Sequence, residues 1–253
     1  CIGFDASYIF GEADFLKLNS LSDRLSYNTN VHKYLYVNGF LFSAGLQYSH
    51  KLTEKKSLIL GATFVPSQKL PYSNIMVVNA IPTDTAISIE YEQNKDLETD
   101  YPMEIGGGIG FTIKDKLAVA AETKFQDWSK SVIFGSNTTE YNARMSYNFG
   151  IEIIPERYAF KGYHKRIRYR MGARYEDSYI SVKDKNGDYF PVNEYAVSAG
   201  LGFPFRNSGN NLNISCEYGT KGTKNKLLLR ERFITISFNF TLNEIWFHKR
   251  KIN

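Results

Sequence analysis

No run of about 18 uncharged apolar residues occurs anywhere in the 253-residue chain, so it encodes no transmembrane helix. That absence leaves open a membrane barrel, whose apolar band is hidden in alternate residues. Cysteine is scarce: Cys1 and Cys216 suggest neither a disulfide framework nor a metal site. Histidine is scarce too. His32, His50, His164 and His248 fall in predicted loops, turns or the tail, away from any strand-borne serine, so no hydrolytic constellation stands out and no enzyme is expected. The text GTKGTKNK lacks phosphate-loop spacing and a following helix, and no cofactor is implied. Excess charge is small, at +5, and its densest cluster is the tail from His248 to Lys251. A basic face with aromatic platforms is missing, so nucleic acid is not an expected partner. The chain begins at Cys1 with no signal peptide ahead of it, which reads as a removed signal or a fragment. A lipidated Cys1 is disfavoured, because Ile2 to Phe10 already reads as a strand without a polar tether.

Aromatic residues, by contrast, make up 15% of the chain, and they recur with period two. From Glu140 to Ile153, Tyr141, Ala143, Met145, Tyr147, Phe149, Ile151 and Ile153 share one face, while Asn142, Arg144, Ser146, Asn148, Gly150 and Glu152 share the other. Successive side chains on a strand point to opposite sides, whereas a helix would scatter these residues around its circumference. The same alternation marks Ile167 to Tyr175, Tyr195 to Phe203, Leu212 to Tyr218 and Ile234 to Leu242. Earlier strands are expected at about Ile2 to Phe10, Tyr34 to Tyr48, Ser57 to Val65, Met103 to Ile113 and Leu117 to Phe125. The expected fold is therefore all-β, a single antiparallel transmembrane β-barrel domain over residues 1–253 with about ten membrane-length strands.

The connections alternate in length. Leu52 to Lys56, Lys114 to Lys116 and Arg206 to Asn210 are short, and Pro155 to Lys165 is somewhat longer. Gly11 to Lys33, Pro66 to Pro102, Gln126 to Thr139, Ile180 to Asn193 and Gly219 to Leu229 are long. Short periplasmic turns and longer outer loops are the habit of bacterial barrels, which orients the chain. Within Pro66 to Pro102 a hairpin is expected, Asn74 to Asn79 against Thr85 to Tyr91, projecting outside the membrane. A soluble sandwich also alternates. Two features favour the membrane: Tyr and Phe near strand ends, as in aromatic girdles, and charge in mid-strand on the polar face, as in a wet lumen.

The order of segments resembles the FadL-type family of outer-membrane transport proteins, in its divergent Bacteroidetes branch. LQYSHKLTEKKSLILGATFVPS, YPMEIGGGIGFTIKDKLAVAAETKFQDW, FGIEIIPE, YHKRIRYRMGARYEDSYISV, VSAGLGFPF, ISCEYGTKGT and ISFNFTLNEIWFHKRKIN carry the likeness over most of residues 34–253. The resemblance implies a fourteen-stranded barrel with an N-terminal plug, of which this chain would be the C-terminal part, without the plug and about four strands. It also implies passive transport of fatty acids or aromatic hydrocarbons across the cell outer membrane, with outer-membrane lipid, lipopolysaccharide and a hydrophobic small molecule as partners. A scaffold or secretion-partner barrel and a general porin are the alternatives.

Glu122, Lys124, Arg144, Glu152, Arg168, Arg170, Arg174 and Glu217 are the lumen-lining candidates. Arg166, Arg168, Arg170 and Arg174 form a row on one face, with Arg166 placed in either the strand or the preceding turn. A structural ion-pair ladder with Glu152, and with Glu176 or Glu217, is the favoured role. An electropositive wall for carboxylates is the alternative. The glycine-rich EIGGGIGF is expected inside a strand, making close packing, a bend or space in the lumen.

Overall fold

A computed structural model describes residues 1–19, 28–81, 87–134, 141–183, 189–205, 210–222 and 230–242. It is all-β and antiparallel. The strands are β1 (Ile2–Asn19), β2 (Asn28–Thr53), β3 (Lys56–Val65), β4 (Gln68–Ile81), β5 (Ile87–Tyr101), β6 (Glu104–Ile113), β7 (Leu117–Asp127) and β8 (Ala143–Ile153). They continue as β9 (Arg168–Asp177), β10 (Ser181–Lys183), β11 (Tyr189–Pro191), β12 (Glu194–Pro204), β13 (Asn211–Gly222) and β14 (Arg230–Thr241). A short 3₁₀ turn, Tyr163–Arg166, precedes β9.

One sheet takes in all of these except the small β10–β11 pair. Its continuous path is β1, β2, β3, β6, β7, β8, β9, β12, β13 and β14, each antiparallel to the next. These are the ten strands that the alternation predicts. β3, β6, β7, β8, β9 and β12 are ten or eleven residues long, the span that a tilted membrane strand needs. The path is a single layer. The accessible surface of the whole chain is 18635 Å², against about 11,000 Å² for a compact protein of this mass. No large side chain among the described residues is fully buried.

The first connection differs from expectation. Gly11 to Lys33 is mostly strand: β1 and β2 stay paired from Ile2↔Leu46 to Asn19↔Thr29. Glu12 and Asp14 there occupy the face that carries Phe4, Tyr8 and Phe10 lower down. The apolar–polar pattern fades there although the backbone ladder continues.

β2 is where the sheet forks. Residues Ala44 to Thr53 pair with β3, and Asn28 to Val37 pair with β4. The expected hairpin is present and longer than foreseen, with β4 against β5 and Val77 opposite Tyr91. At the fork the Gln68 side chain takes the place of a strand: Phe42 N donates to Gln68 Oε1 at 2.9 Å, and Gln68 Nε2 donates to Phe42 O at 3.2 Å. The outer edges of β1, β5 and β14 have no strand partner among the described residues. Among the described residues the sheet does not close on itself, which sets it apart from a closed ten-stranded barrel.

Candidate functional site

The inner face of the wall gathers the charged residues. Pairing sets Glu152 opposite Arg170, and Arg170 opposite Gly200. The Arg170 guanidinium donates from Nε to Glu152 Oε2 at 2.6 Å and from Nη1 to Asn213 Oδ1 at 2.9 Å. Its side chain therefore crosses β12 where Gly200 offers no side chain, linking β8 to β13. Two repeats of the pleat higher, past Gly172, Arg174 lies opposite Ala196 and crosses β12 in the same way. Its Nη2 reaches Glu217 Oε1 at 3.0 Å and Glu194 Oε1 at 2.6 Å. Glu194 also meets Lys221 at 3.4 Å.

Arg144 forms a two-pronged bond with Glu176, with both N···O distances at 3.0 Å. Glu176 thus serves Arg144 and not the arginine row for which it was considered. Glu122 and Lys124 pair along one strand at 3.4 Å, both about half exposed. Arg168 makes no ion pair among the described residues. A Cβ on Gly202, its neighbour in register, would come within 3.1 Å of the Arg168 Cβ, so the arginine stem lies over that glycine. Arg166 belongs to the 3₁₀ turn and stacks over the Tyr163 ring at 5.1 Å. Gly106, in the glycine-rich strand, allows a still closer contact: a Cβ there would overlap Thr63 Oγ1.

Glu104, Lys124, Arg144, Ser146, Asn148, Arg174 and Glu176 enclose a small polar hollow of about 150 Å³. Its lining suits water and ions better than hydrocarbon, since covering charged groups with an apolar solute strips them of water. Among the described residues no cluster of histidine, cysteine and carboxylates is arranged to hold a metal.

Sequence reasoning missed Glu194, Lys221 and Asn213. Glu194 shares the parity of Ala196, Ser198 and Gly200, and Asn213 that of Ser215 and Glu217, so their face was legible. Which carboxylate meets which arginine depends on register across three strands.

The outer face is apolar and uncovered. Met171 is 67% exposed and Phe238 72%. Tyr147, Tyr175 and Tyr195 stand side by side across β8, β9 and β12 near the long-loop end, the first two rings stacked at 6.3 Å. Tyr169 and Phe240 stand near the short-turn end. Such aromatic rows bound the apolar band of membrane barrels.

Above the wall, β4, β5 and residues 128–134 form a packed cap. Tyr72 meets Phe134 edge-on at 5.2 Å, and Trp128 stacks on Tyr179 at 5.0 Å with Tyr101 at its edge. Asp100 N and Val132 O bond at 3.1 Å, tying β5 to this segment. Asp127 accepts bonds from the Ser129 hydroxyl at 2.6 Å and the Ser129 N–H at 3.0 Å, which hold its carboxyl below the usual carboxylate range.

A family model described as BamG matches residues 1–253. The chain belongs to the BamG family. No curated protein matches it. Among solved structures, this BamG-family chain is similar to the crystal structure of a Pseudomonas aeruginosa FadL homologue. The two are 14% identical, the match covers 87% of this chain and 69% of that one, and the TM-score is 0.35. A FadL homologue thus meets the resemblance read from the segments, at a likeness too loose to carry an argument, and the divergent Bacteroidetes branch gains no support from it.

Proposed function

We propose that the ten-strand path is a membrane-spanning part of an outer-membrane β-barrel, and that this BamG-family chain serves as a non-enzymatic scaffold for other envelope proteins. The observation that carries the reading is the brace across β8, β9, β12 and β13. There the inner face is occupied by arginines bonded to Glu152, Glu194, Glu217 and Asn213. Charges already paired in this way stiffen a wall. They leave little unpaired cation to draw a carboxylate. The outward apolar face and its aromatic rows support the membrane setting, with outer-membrane lipid and lipopolysaccharide as its surroundings. The packed cap supplies a shaped surface outside the lipid for protein contact. The family name, BamG, hints at a role other than uptake.

Transport of fatty acids or aromatic hydrocarbons is the second reading, favoured by the segment order that resembles FadL-type proteins. Depletion of the protein in its host separates the two. Under the scaffold reading, other outer-membrane proteins fall in abundance or lose their folded, heat-modifiable form, while uptake of a labelled fatty acid per cell is unchanged. Loss of uptake with an intact outer-membrane proteome would overturn it in favour of transport. Recovery of the protein outside the outer-membrane fraction would sink both.

A further inference from the structure

The short-turn end of the wall carries an uneven charge. Its tight turns expose Lys55 and Lys56 after β2, and Lys114 and Lys116 between β6 and β7. The connection from β8 to β9, residues 154–167, adds Arg157, Lys161, Lys165 and Arg166. Against these eight cations stand three carboxylates, Glu54, Asp115 and Glu156. Two of the three are already taken: Arg157 pairs with Asp115 at 2.8 Å, and Lys165 with Glu156 at 3.3 Å. The four turn lysines and Lys161 make no ion pair among the described residues.

The β8–β9 connection lies along the rim. Ile154 N donates to Lys116 O at 2.8 Å, and the Arg157–Asp115 pair binds the same turn. At its other end the Tyr163 hydroxyl donates to Pro204 O, at the end of β12, at 3.1 Å. Ile154 and Ala159 are buried beneath it. Tyr158 and Phe160 turn outward, 73% and 100% exposed. A fully exposed phenylalanine beside unpaired lysines has no use in water. In a headgroup layer both find partners, the ring among the glycerol and upper acyl groups and the ammonium on phosphate.

We propose that this rim is a binding surface for anionic phospholipid, with Phe160 and Tyr158 seated in the headgroup layer and the unpaired lysines holding phosphates. The proposal rests on the reading that the wall spans a membrane. An acidic protein partner would account for the lysines. It would not account for bare aromatics on a connection that joins two lipid-facing strand ends, Ile153 and Tyr169, themselves 46% and 38% exposed.

The test is to insert the protein into vesicles of a zwitterionic phospholipid containing a minor share of an anionic one with the same acyl chains. It is then extracted in mild detergent and its retained lipids are counted by native mass spectrometry. The wild-type chain retains anionic lipid well above its bulk share. Lys114→Gln, Lys116→Gln and Lys161→Gln, combined, lower that excess by on the order of fivefold for each cation removed. Phe160→Ser weakens retention of both lipids. Added inorganic phosphate leaves retention unchanged. Retention at the bulk ratio, an undiminished excess in the triple variant, displacement by free phosphate, or preferential capture of polyglutamate by the inserted protein would each overturn the proposal. Failure of the membrane reading looks different: an alkaline carbonate wash strips the protein from vesicles of every composition, and the proposal falls with it. Heat-modifiability of the inserted variants confirms that they fold, since none of the substituted side chains has a bonding partner to lose among the described residues.

Discussion

One strand passes through two regions that are held together in opposite ways. The upper part of β2 lies in the cap, where Leu35 is 4% exposed, with Leu70 and Tyr72 of β4 buried alongside. The lower part lies in the wall, where Leu46 and Tyr48 are 55% and 58% exposed. The backbone ladder is continuous, and the contrast is one of faces as well as of height: Leu35 stands on the odd-numbered face of β2, Leu46 and Tyr48 on the even-numbered one. In the cap, apolar groups escape water by packing on one another. In the wall they point away from the sheet, polar groups point inward, and ion pairs and glycines take the place of a core. A strand thus needs no change of backbone to pass from a protein packed for water to one made to be packed by lipid.

The largest expected effect falls on the wall. Phe149→Arg with Phe238→Arg places two cations on its outer face, each costing about 2–4 kcal/mol at mid-membrane. The heat-modifiable form is expected to vanish from refolding into vesicles, while Asn239→Arg, on the inner face, keeps it. Equal loss from both substitutions would erase the distinction between faces.

Next comes the cap. Tyr72→Ala removes a buried ring and is expected to cost about 3 kcal/mol. Hydrogen exchange is expected to quicken in β4, β5 and residues 128–134 and to stay slow in β8, β9 and β12. Equal quickening in both would mean that wall and cap unfold as one unit.

A smaller effect is expected from the brace. Arg170→Gln breaks the bond to Glu152 and weakens the one to Asn213, at about 1–3 kcal/mol. Folding yield falls, and uptake of a fatty acid and of a neutral aromatic by the folded fraction stays equal. A selective loss of fatty-acid uptake with normal folding would restore the anion-attracting wall.

The smallest effect is a pH dependence confined to the cap. Asp127 is held below its ordinary carboxylate range, foremost by the Ser129 hydroxyl and then by the Ser129 N–H. A depressed folded-state pKa gives a contribution that is full above the unfolded-state value, near about 4, and is lost as pH falls through the folded-state value. Trp128 fluorescence is expected to change through that acid range and to lose this step in Asp127→Asn. A step that survives the substitution would assign it to another group.

Period two in the sequence determined the all-β class, the ten strands of the path and the face of nearly every residue in them, because side-chain direction on a strand is a local property. The alternation of short and long connections determined the up-and-down order of neighbours, and Glu152 was legible as a partner for the arginine row because one connection joins their strands. Tertiary structure alone decided that β1 and β2 run on to Asn19 and from Asn28, that the β4–β5 hairpin docks on β2, and that β1 and β14 do not pair with each other among the described residues. It alone chose Glu194 for Arg174, Asn213 for Arg170 and Glu176 for Arg144. These depend on register, and a register is a relation between strands: each strand's own pattern says which side a residue faces, while the cross-strand hydrogen bonds say whom it faces there.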